Sequence, residues 1–417
     1  MNIERNWHLE RLIARKHNNM IKIITGMRRS GKSYLLFNLF YEYLKKQGVD
    51  DRHIIRINLE DRRNASLRNP DNLLSYIDSL FVDDAMHYIL LDEVQMVSEF
   101  EDVLNSYLHI ANADVYVTGS NARFLSKDII TEFRGRGDVI KITPLTFKEF
   151  MTVHSGTKEQ GLMDYMTYGG LPQVALMDNP KQKREFLRAL FTSTYIRDIR
   201  DRYHVKKEQE LGELINIMAS NIGGLTNPTK LANTFKSVKH SDVSPLTVSN
   251  FLEMLQDSFL IDKAIRYDIK GKHYIDTPAK YYFEDLGLRN ARINFRQIEF
   301  PHLMENLIFN ELVHRGFSVD VGQMSVTETT SEGKRKRSLL EVDFVCNEGY
   351  NRYYIQSAYA LPTLEKQQQE YRSLLKINDG FKKIVIVGDS FQPTYQTDSG
   401  ILIMNIYNFL MNEYSIN

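Results

Sequence analysis

The chain alternates short apolar runs with longer segments whose apolar residues recur at helical spacing. IKIIT (21–25), HIIRINL (53–59), YILLDEVQ (88–95), DVYVTGS (114–120) and VIKITPL (139–145) read as strands buried on both faces. Helical stretches lie between most of them, which predicts a parallel sheet covered by helices on both sides. After Gly169-Gly170-Leu171-Pro172 the pattern turns helical to about residue 220. Residues 227–268 then read as helix, turn, helix and the start of a hairpin. Ser244 before Pro245 is a good helix start, because the hydroxyl satisfies an orphan N–H and proline suits the first turn. Val248, Phe251, Leu252, Leu255 and Phe259 form the apolar stripe of that helix. From about residue 300 the order is helix, strand (317–322), polar loop, strand (339–345), strand (352–359), helix (363–377), strand (382–389).

With 417 residues the chain is too long for one core and suits two or three domains. Lys+Arg 53 balance Asp+Glu 53, so no global basic excess drives nucleic-acid binding and any such contact must be local. A single cysteine, Cys346, excludes an internal disulfide framework and fits a reducing compartment. The charged start MNIERNWHLERLIARKHNNM lacks an apolar signal core, and no apolar run approaches the roughly 20 residues of a membrane helix. A cytoplasmic protein with no membrane partner is expected.

The first strand runs straight into Gly26-Met27-Arg28-Arg29-Ser30-Gly31-Lys32-Ser33-Tyr34. This is the GxxxxGK[ST] phosphate loop in its required setting, strand before and helix (YLLFNLFYEYLKK) after. The glycines allow the tight turn that points successive N–H groups at phosphate, and the helix N-terminus adds its positive end. Lys32 is expected to reach the β- and γ-phosphates of ATP, and the Ser33 hydroxyl to ligate Mg²⁺. Asp92 and Glu93, at the end of YILLDEVQ, supply an acid to hold Mg²⁺ through water and one to polarise the attacking water. TGSNARFLS follows the fourth strand, where Ser120 and Asn121 are candidates to sense the γ-phosphate, with Arg123 close by. Asn121 is equally a turn residue or a helix cap. Arg136, between two glycines, is a candidate arginine finger or a solvated loop residue, acting within the chain or across subunits. Arg28 and Arg29 face either nucleotide or a neighbouring domain.

GMRRSGKSYLL, YILLDEVQ, VTGSNARFLS, GRGDVIKITPLTFKEF and the later YMTYGGLPQVAL resemble the AAA-type ATPase family of bacteria and archaea, whose members carry a further C-terminal domain of unknown function. The resemblance runs over nearly the whole chain and implies an AAA-like sheet order and ATP hydrolysis. It implies no substrate. The fold class expected is α/β: a P-loop AAA-like parallel sheet sandwiched by helices (1–155), a helical and winged-helix region (156–295), and a nuclease-like α/β domain (296–417).

For the winged helix, the exposed positions Thr247, Ser249, Asn250, Glu253, Gln256 and Asp257 offer no cation for phosphate or guanine. Lys230, Lys236, Lys239 and His240 lie nearby, so a lid on the ATPase and a DNA-docking element both stay open.

The α-β-β-β-α-β order at the end resembles the PD-(D/E)XK nuclease fold. That fold binds metal with a helix Glu, a strand Asp and an acid-x-Lys on the next strand. On this resemblance Glu305 and Asp343 match, but Gln356-Ser357-Ala358 stands at the acid-x-Lys position. Neutral Gln356 removes compensating charge, and Ala358 cannot orient water, a loss of typically several kcal/mol in the transition state. Catalytic inactivity is expected, with Asp343 as a strand-end acid and Glu305 as a first-turn acid. Lys366 and Lys382 could supply a migrated lysine, though nothing in the sequence points to either. SEGKRKRS (331–338) is the basic cluster of the chain, a solvated hairpin tip or a phosphate contact. The expected function is an ATP-driven switch controlling its C-terminal domains; DNA, an unidentified protein and a second copy of the chain remain open partners. The alternative is a DNA-processing ATPase with a live nuclease.

Overall fold

The structure, a computed structural model, describes residues 3–119, 133, 135–238, 241–296, 298–329, 335–389 and 392–416. Ser120, Asn121, Arg123, Lys239, His240 and the 331–334 part of the basic cluster lie outside the described residues. The chain divides into two compact units. The first is residues 1–145 with Leu171–Gln173 and Asp257–Phe259; the second holds the remainder.

The first unit is built on a five-stranded sheet in the order β2-β3-β4-β1-β5. Its strands are β1 (Ile21–Thr25), β2 (Ile54–Asn58), β3 (His87–Asp92), β4 (Ala113–Thr118) and β5 (Gly137–Lys141). All pairings are parallel. Alternation along each strand feeds two separate cores, which is why the runs read as apolar throughout. Ile23, Ile57, Ile89, Leu91 and Val117 pack on one face with Leu73, Ile77, Phe100 and Leu104. Ile24, Ile54, Leu90, Tyr116 and Ile140 pack on the other with Leu12, Leu35, Leu36, Phe40 and Leu44. The five expected strands are all present, each within a few residues of its expected ends.

The second unit carries the helices Glu208–Ser220, Pro228–Val238 and Pro245–Asp257 and an eight-stranded sheet. Ser244 caps the last of these helices, its Oγ accepting the Thr247 N–H at 3.1 Å, and Val248, Phe251, Leu252 and Leu255 are buried as the stripe predicts. The hairpin that follows is β6 (Ile261–Asp268) and β7 (His273–Phe283). The later strands are β8 (Ser318–Thr329), β9 (Arg335–Glu348), β10 (Asn351–Ala358), β11 (Lys382–Val387), β12 (Tyr395–Gln396) and β13 (Ile401–Asn405). Helix Phe300–His314 precedes β8, and helix Leu364–Leu375 lies between β10 and β11. The sheet order is β12-β13-β11-β10-β9-β8-β6-β7.

Two features depart from the sequence reading. The hairpin is not a free wing: Arg266, Tyr267 and Asp268 of β6 pair in parallel with Val321, Gly322 and Gln323 of β8. The expected boundary at 295/296 therefore falls between strands of one sheet. The polar segment between the first two C-terminal strands is mostly extended, with Thr327 opposite Arg337 and Thr329 opposite Arg335. Polar residues on a two-stranded arm have no core to pattern them, so alternation was not visible there. Among the described residues no helix is long and apolar enough to cross a membrane.

Candidate functional site

Among the described residues, the candidate side chains singled out in the sequence converge in two places, one in each unit. In the first unit, β1 delivers the loop 26–33 to the C-terminal edge of the sheet. Gly26 has φ +133°, and a Cβ there would lie 2.1 Å from the Ile142 carbonyl oxygen, so the position requires glycine for space as well as for conformation. Gly31 and Arg29 also take positive φ, 99° and 64°. The buried Lys32 Nζ donates to the Gly26 and Met27 carbonyls, both at 2.9 Å, so the ammonium lies across the mouth of its own loop. Met27 and Ser30 are buried, Arg28 and Tyr34 half-buried, and Arg29 is exposed, donating to Gln173 Oε1 at 2.8 Å.

The structure brings Ser33 and Asp92 together: the Ser33 hydroxyl donates to Asp92 Oδ1 at 2.9 Å. Burial pushes the Asp92 carboxyl above the usual carboxylate range, opposed by the hydroxyls of Thr118 and Ser33. Neutral donors can be exchanged for a cation, and a divalent ion would relieve this burial cost. Glu93 takes the left-handed conformation at φ 55°, which turns it out of the strand; its carboxylate accepts from Gln95 Nε2. One tie orients the pair: the Thr118 hydroxyl donates to Asp92 Oδ1 and accepts the Glu93 N–H.

Two participants escaped the sequence reading. Thr118 reads as a strand residue, and the sequence points to polar contacts at Ser120 and Asn121 instead. Arg5 is buried and donates to the Ser30 carbonyl at 2.9 Å and the Thr143 carbonyl at 2.8 Å, fastening the phosphate loop to the chain after β5. A basic residue near the start of the chain carries no local signal for that role.

Arg136 is exposed just before β5. Ile21 pairs with Gly137 in parallel register, so Arg136 stands at the end of β1 opposite to Gly26, with roughly 13 Å of strand between them. That register sets Arg136 at the edge of the sheet away from the phosphate loop of its own chain.

The group His53, Asp83 and His87 places potential ligand atoms within 4.8 Å of one another at the starts of β2 and β3. His87 Nδ1 faces the Ala85 carbonyl at 2.7 Å and its Nε2 accepts the Val82 N–H, so both ring nitrogens already hold the turn.

The second group lies in the C-terminal unit. Glu305, beyond the first turn of helix Phe300–His314, and Asp343, inside β9 rather than at its end, come to one point, and Glu341 joins them because residues two apart on a strand share a face. At their centre is Lys280 of β7. Its Nζ is 2.9 Å from Glu305 Oε1, 2.8 Å from Glu341 Oε1 and 3.7 Å from Asp343 Oδ1. The Tyr282 hydroxyl donates to Glu305 Oε1 at 2.7 Å, and the Ser357 N–H donates to Asp343 Oδ2 at 2.9 Å. Burial pushes the Asp343 carboxyl up to about 7, with the Glu305 charge adding to it and Lys280 and Ser357 opposing. Burial pulls the Lys280 ammonium down, but Glu305, Asp343 and Glu341 outweigh it and hold the ammonium above the ordinary lysine range.

Gln356 is turned to structural work: Oε1 is 3.4 Å from the Asp343 N–H and Nε2 is 3.4 Å from Glu370 Oε2. Ala358 packs in the core. Lys366 pairs with Glu370, whose other oxygen accepts from Gln356 Nε2, and Lys382 donates to the Ile416 carbonyl; among the described residues neither pairs with Glu305, Glu341 or Asp343. The lysine comes instead from the hairpin.

Residues 18–151 match the AAA domain family, and residues 159–299 match a domain of unknown function, DUF8612. A Haemophilus influenzae protein described as uncharacterized is 34% identical over 98% of this chain and 98% of its own length. An uncharacterized Methanocaldococcus jannaschii protein is 30% identical over 84% of this chain and 77% of its own. Among solved structures, the Aeropyrum pernix ORC1 protein in complex with DNA matches with a TM-score of 0.32 at 12% identity, over 70% of this chain and 93% of that one. That likeness is too distant to carry a substrate or a partner across. Similarity at this level over nearly all of both chains places this chain in the same family as the Haemophilus influenzae protein, and its own residues 18–151 form an AAA-type domain followed by a region of unknown function.

Proposed function

We propose that the chain is a Mg²⁺-dependent ATP hydrolase that works as a nucleotide-driven switch, with its C-terminal unit serving as a non-nucleolytic interaction module. The observation that carries the reading is the Ser33–Asp92 contact at 2.9 Å, which sets hydroxyl and carboxylate together beside the loop. Mg²⁺, when bound, neutralises charge on the β- and γ-phosphate oxygens. Ser33 and Asp92 would hold it. Lys32 exchanges the Gly26 and Met27 carbonyls for phosphate oxygens, a charge-assisted contact that replaces two neutral ones. Glu93 orients the attacking water and takes its proton, and Thr118 keeps Glu93 and Asp92 in register. Arg136 reaches a nucleotide only across a subunit boundary, so full turnover depends on self-association. Asn121 stays assigned to sensing the γ-phosphate.

The test is ATP turnover by the purified chain against concentration, with Lys32→Ala as the blank. A rate per chain that rises with concentration and vanishes in the blank supports the reading; ATP bound without hydrolysis above Glu93→Gln refutes it.

One observation favours a DNA-linked version: Arg335, Lys336 and Arg337 are exposed at the start of β9. The helix Pro245–Asp257 argues against major-groove docking, since its exposed positions carry no cation. Turnover with and without duplex DNA separates the two, because only the DNA-linked version is stimulated.

A further inference from the structure

Glu305, Glu341 and Asp343 surround one point in the way ligands surround a cation, and that point is filled by the chain itself. The Lys280 side chain is only 3% exposed, so its ammonium is not a surface charge resting near acids. A buried ammonium persists where carboxylates and hydrogen bonds replace its water. Here two of its three hydrogens have carboxylate acceptors, at 2.9 and 2.8 Å, and Asp343 lies on its third side at 3.7 Å.

The lysine is brought there by a structure of its own. In the sheet, β8 and β6 stand between β9 and β7, so Lys280 is not a ladder neighbour of Asp343. The register of β6 against β7 shifts between Ala264 and Arg266, and Asn306 clamps the end of β7, its side chain bonding both the N–H and the carbonyl of Phe283 at 2.8 Å. This carries the second half of β7 onto the helix that bears Glu305. The segment before the hairpin closes the same spot from outside. Thr226 pairs with Ala279, next to Lys280, and Gly223 at φ +69° passes so near that a Cβ would lie 2.7 Å from Glu305 Oε1. That side of Glu305 is shut to a phosphodiester.

We propose that Lys280 is the built-in cation of this cluster: its ammonium takes the seat of a divalent ion, and removing it uncovers a latent divalent-cation site formed by Glu305, Glu341 and Asp343. The side chain thereby ties hairpin, helix and β9 into one unit without metal. Glu341, at 36% exposure, is the side from which a metal would enter once the lysine is gone. The proposal extends the non-nucleolytic reading of this unit and can fail separately from it, because metal occupancy is measured without any cleavage assay.

The experiment is a titration of the nucleotide-free full chain with Mn²⁺, followed by electron paramagnetic resonance of the free ion. Wild type, Asp343→Asn, Lys280→Ala and the double variant are compared, so that ion held at Asp92 cancels. Wild type and Asp343→Asn are expected to bind equally. Lys280→Ala is expected to gain about one Mn²⁺ per chain, and the double variant to lose it. Should the alanine variant not fold, Lys280→Gln, which keeps the stem but not the charge, is measured in its place. The proposal is overturned if Asp343→Asn binds less Mn²⁺ than wild type, since the cluster then holds metal with the lysine in place, as a metal-dependent hydrolase would. That comparison needs no lysine variant. Absence of any gain in the folded lysine variant overturns it as well.

Discussion

Asp92 and Asp343 are both buried strand acids, the first at the end of β3 and the second inside β9, and burial raises both carboxyls above their ordinary range. Their partners differ. Asp92 is met by two hydroxyls, Ser33 and Thr118, which are neutral and can yield to a cation. Asp343 and its two neighbouring acids are met by the ammonium of Lys280, a full charge on a tether. An acid faced by hydroxyls keeps its capacity for metal, whereas an acid faced by a buried lysine has spent it. Acids on buried strands thus meet neutral partners in one unit and a full positive charge in the other.

The contrast breaks most visibly at the first site. Lys32→Ala should lower ATP turnover by about 10²–10³-fold or more, the usual cost of removing a donor aimed at developing charge, with nucleotide affinity falling too. Glu93→Gln should lower turnover by about 10²–10⁴-fold while nucleotide binding persists. Binding and turnover that fall together in Glu93→Gln would mean that this acid holds the site rather than running it.

At the second site the expected loss is of stability. Lys280→Met leaves three carboxylates without their counterion, and unfolding in urea should show a loss of about 3–5 kcal/mol. A loss under about 1 kcal/mol, the size of a surface pair, would show that the cluster is not held by the lysine. Gly26→Ala should cost about 1–3 kcal/mol, because a methyl group is forced against the Ile142 carbonyl in a conformation alanine resists. Its melting temperature measures this directly.

The smallest effect is one of pH. Asp343 titrates at about 7 in the fold against 3.8 when exposed, so its ionisation opposes folding as pH rises through that interval. Asparagine does not ionise. The stability of Asp343→Asn relative to wild type should therefore rise between pH 4 and pH 7 and level off above. A difference that stays flat with pH, or falls, would place the burial cost elsewhere.

The phosphate loop, the acids at 92 and 93 and the strand–helix alternation were legible in the sequence because each is a run of consecutive residues. Backbone geometry then sets where the side chains go: Gly26 to Ser33 can turn only one way, and β3 must carry Asp92 and Glu93 to one edge. Helix Phe300–His314 and the cores of β9 and β10 were equally readable, and with them Glu305, Asp343 and the two positions that lack a nuclease's acid and lysine. Thr118 was hidden by a motif expectation centred a few residues later.

Other features depended on pairings between distant segments. Whether Arg136 can serve its own nucleotide follows from the parallel register of β5 on β1. Arg5 reaches Ser30 only because the start of the chain packs beside the loop. Glu341 and Lys280 carry no sequence signal of their own; the sheet order and the Asn306 clamp bring both to Glu305. The sequence by itself determined the phosphate loop with its strand-end acids and the neutral pair Gln356 and Ala358 on β10. The tertiary structure decided that another lysine stands among the acids, because the charge that settles a buried cluster comes from whichever segment folds across it.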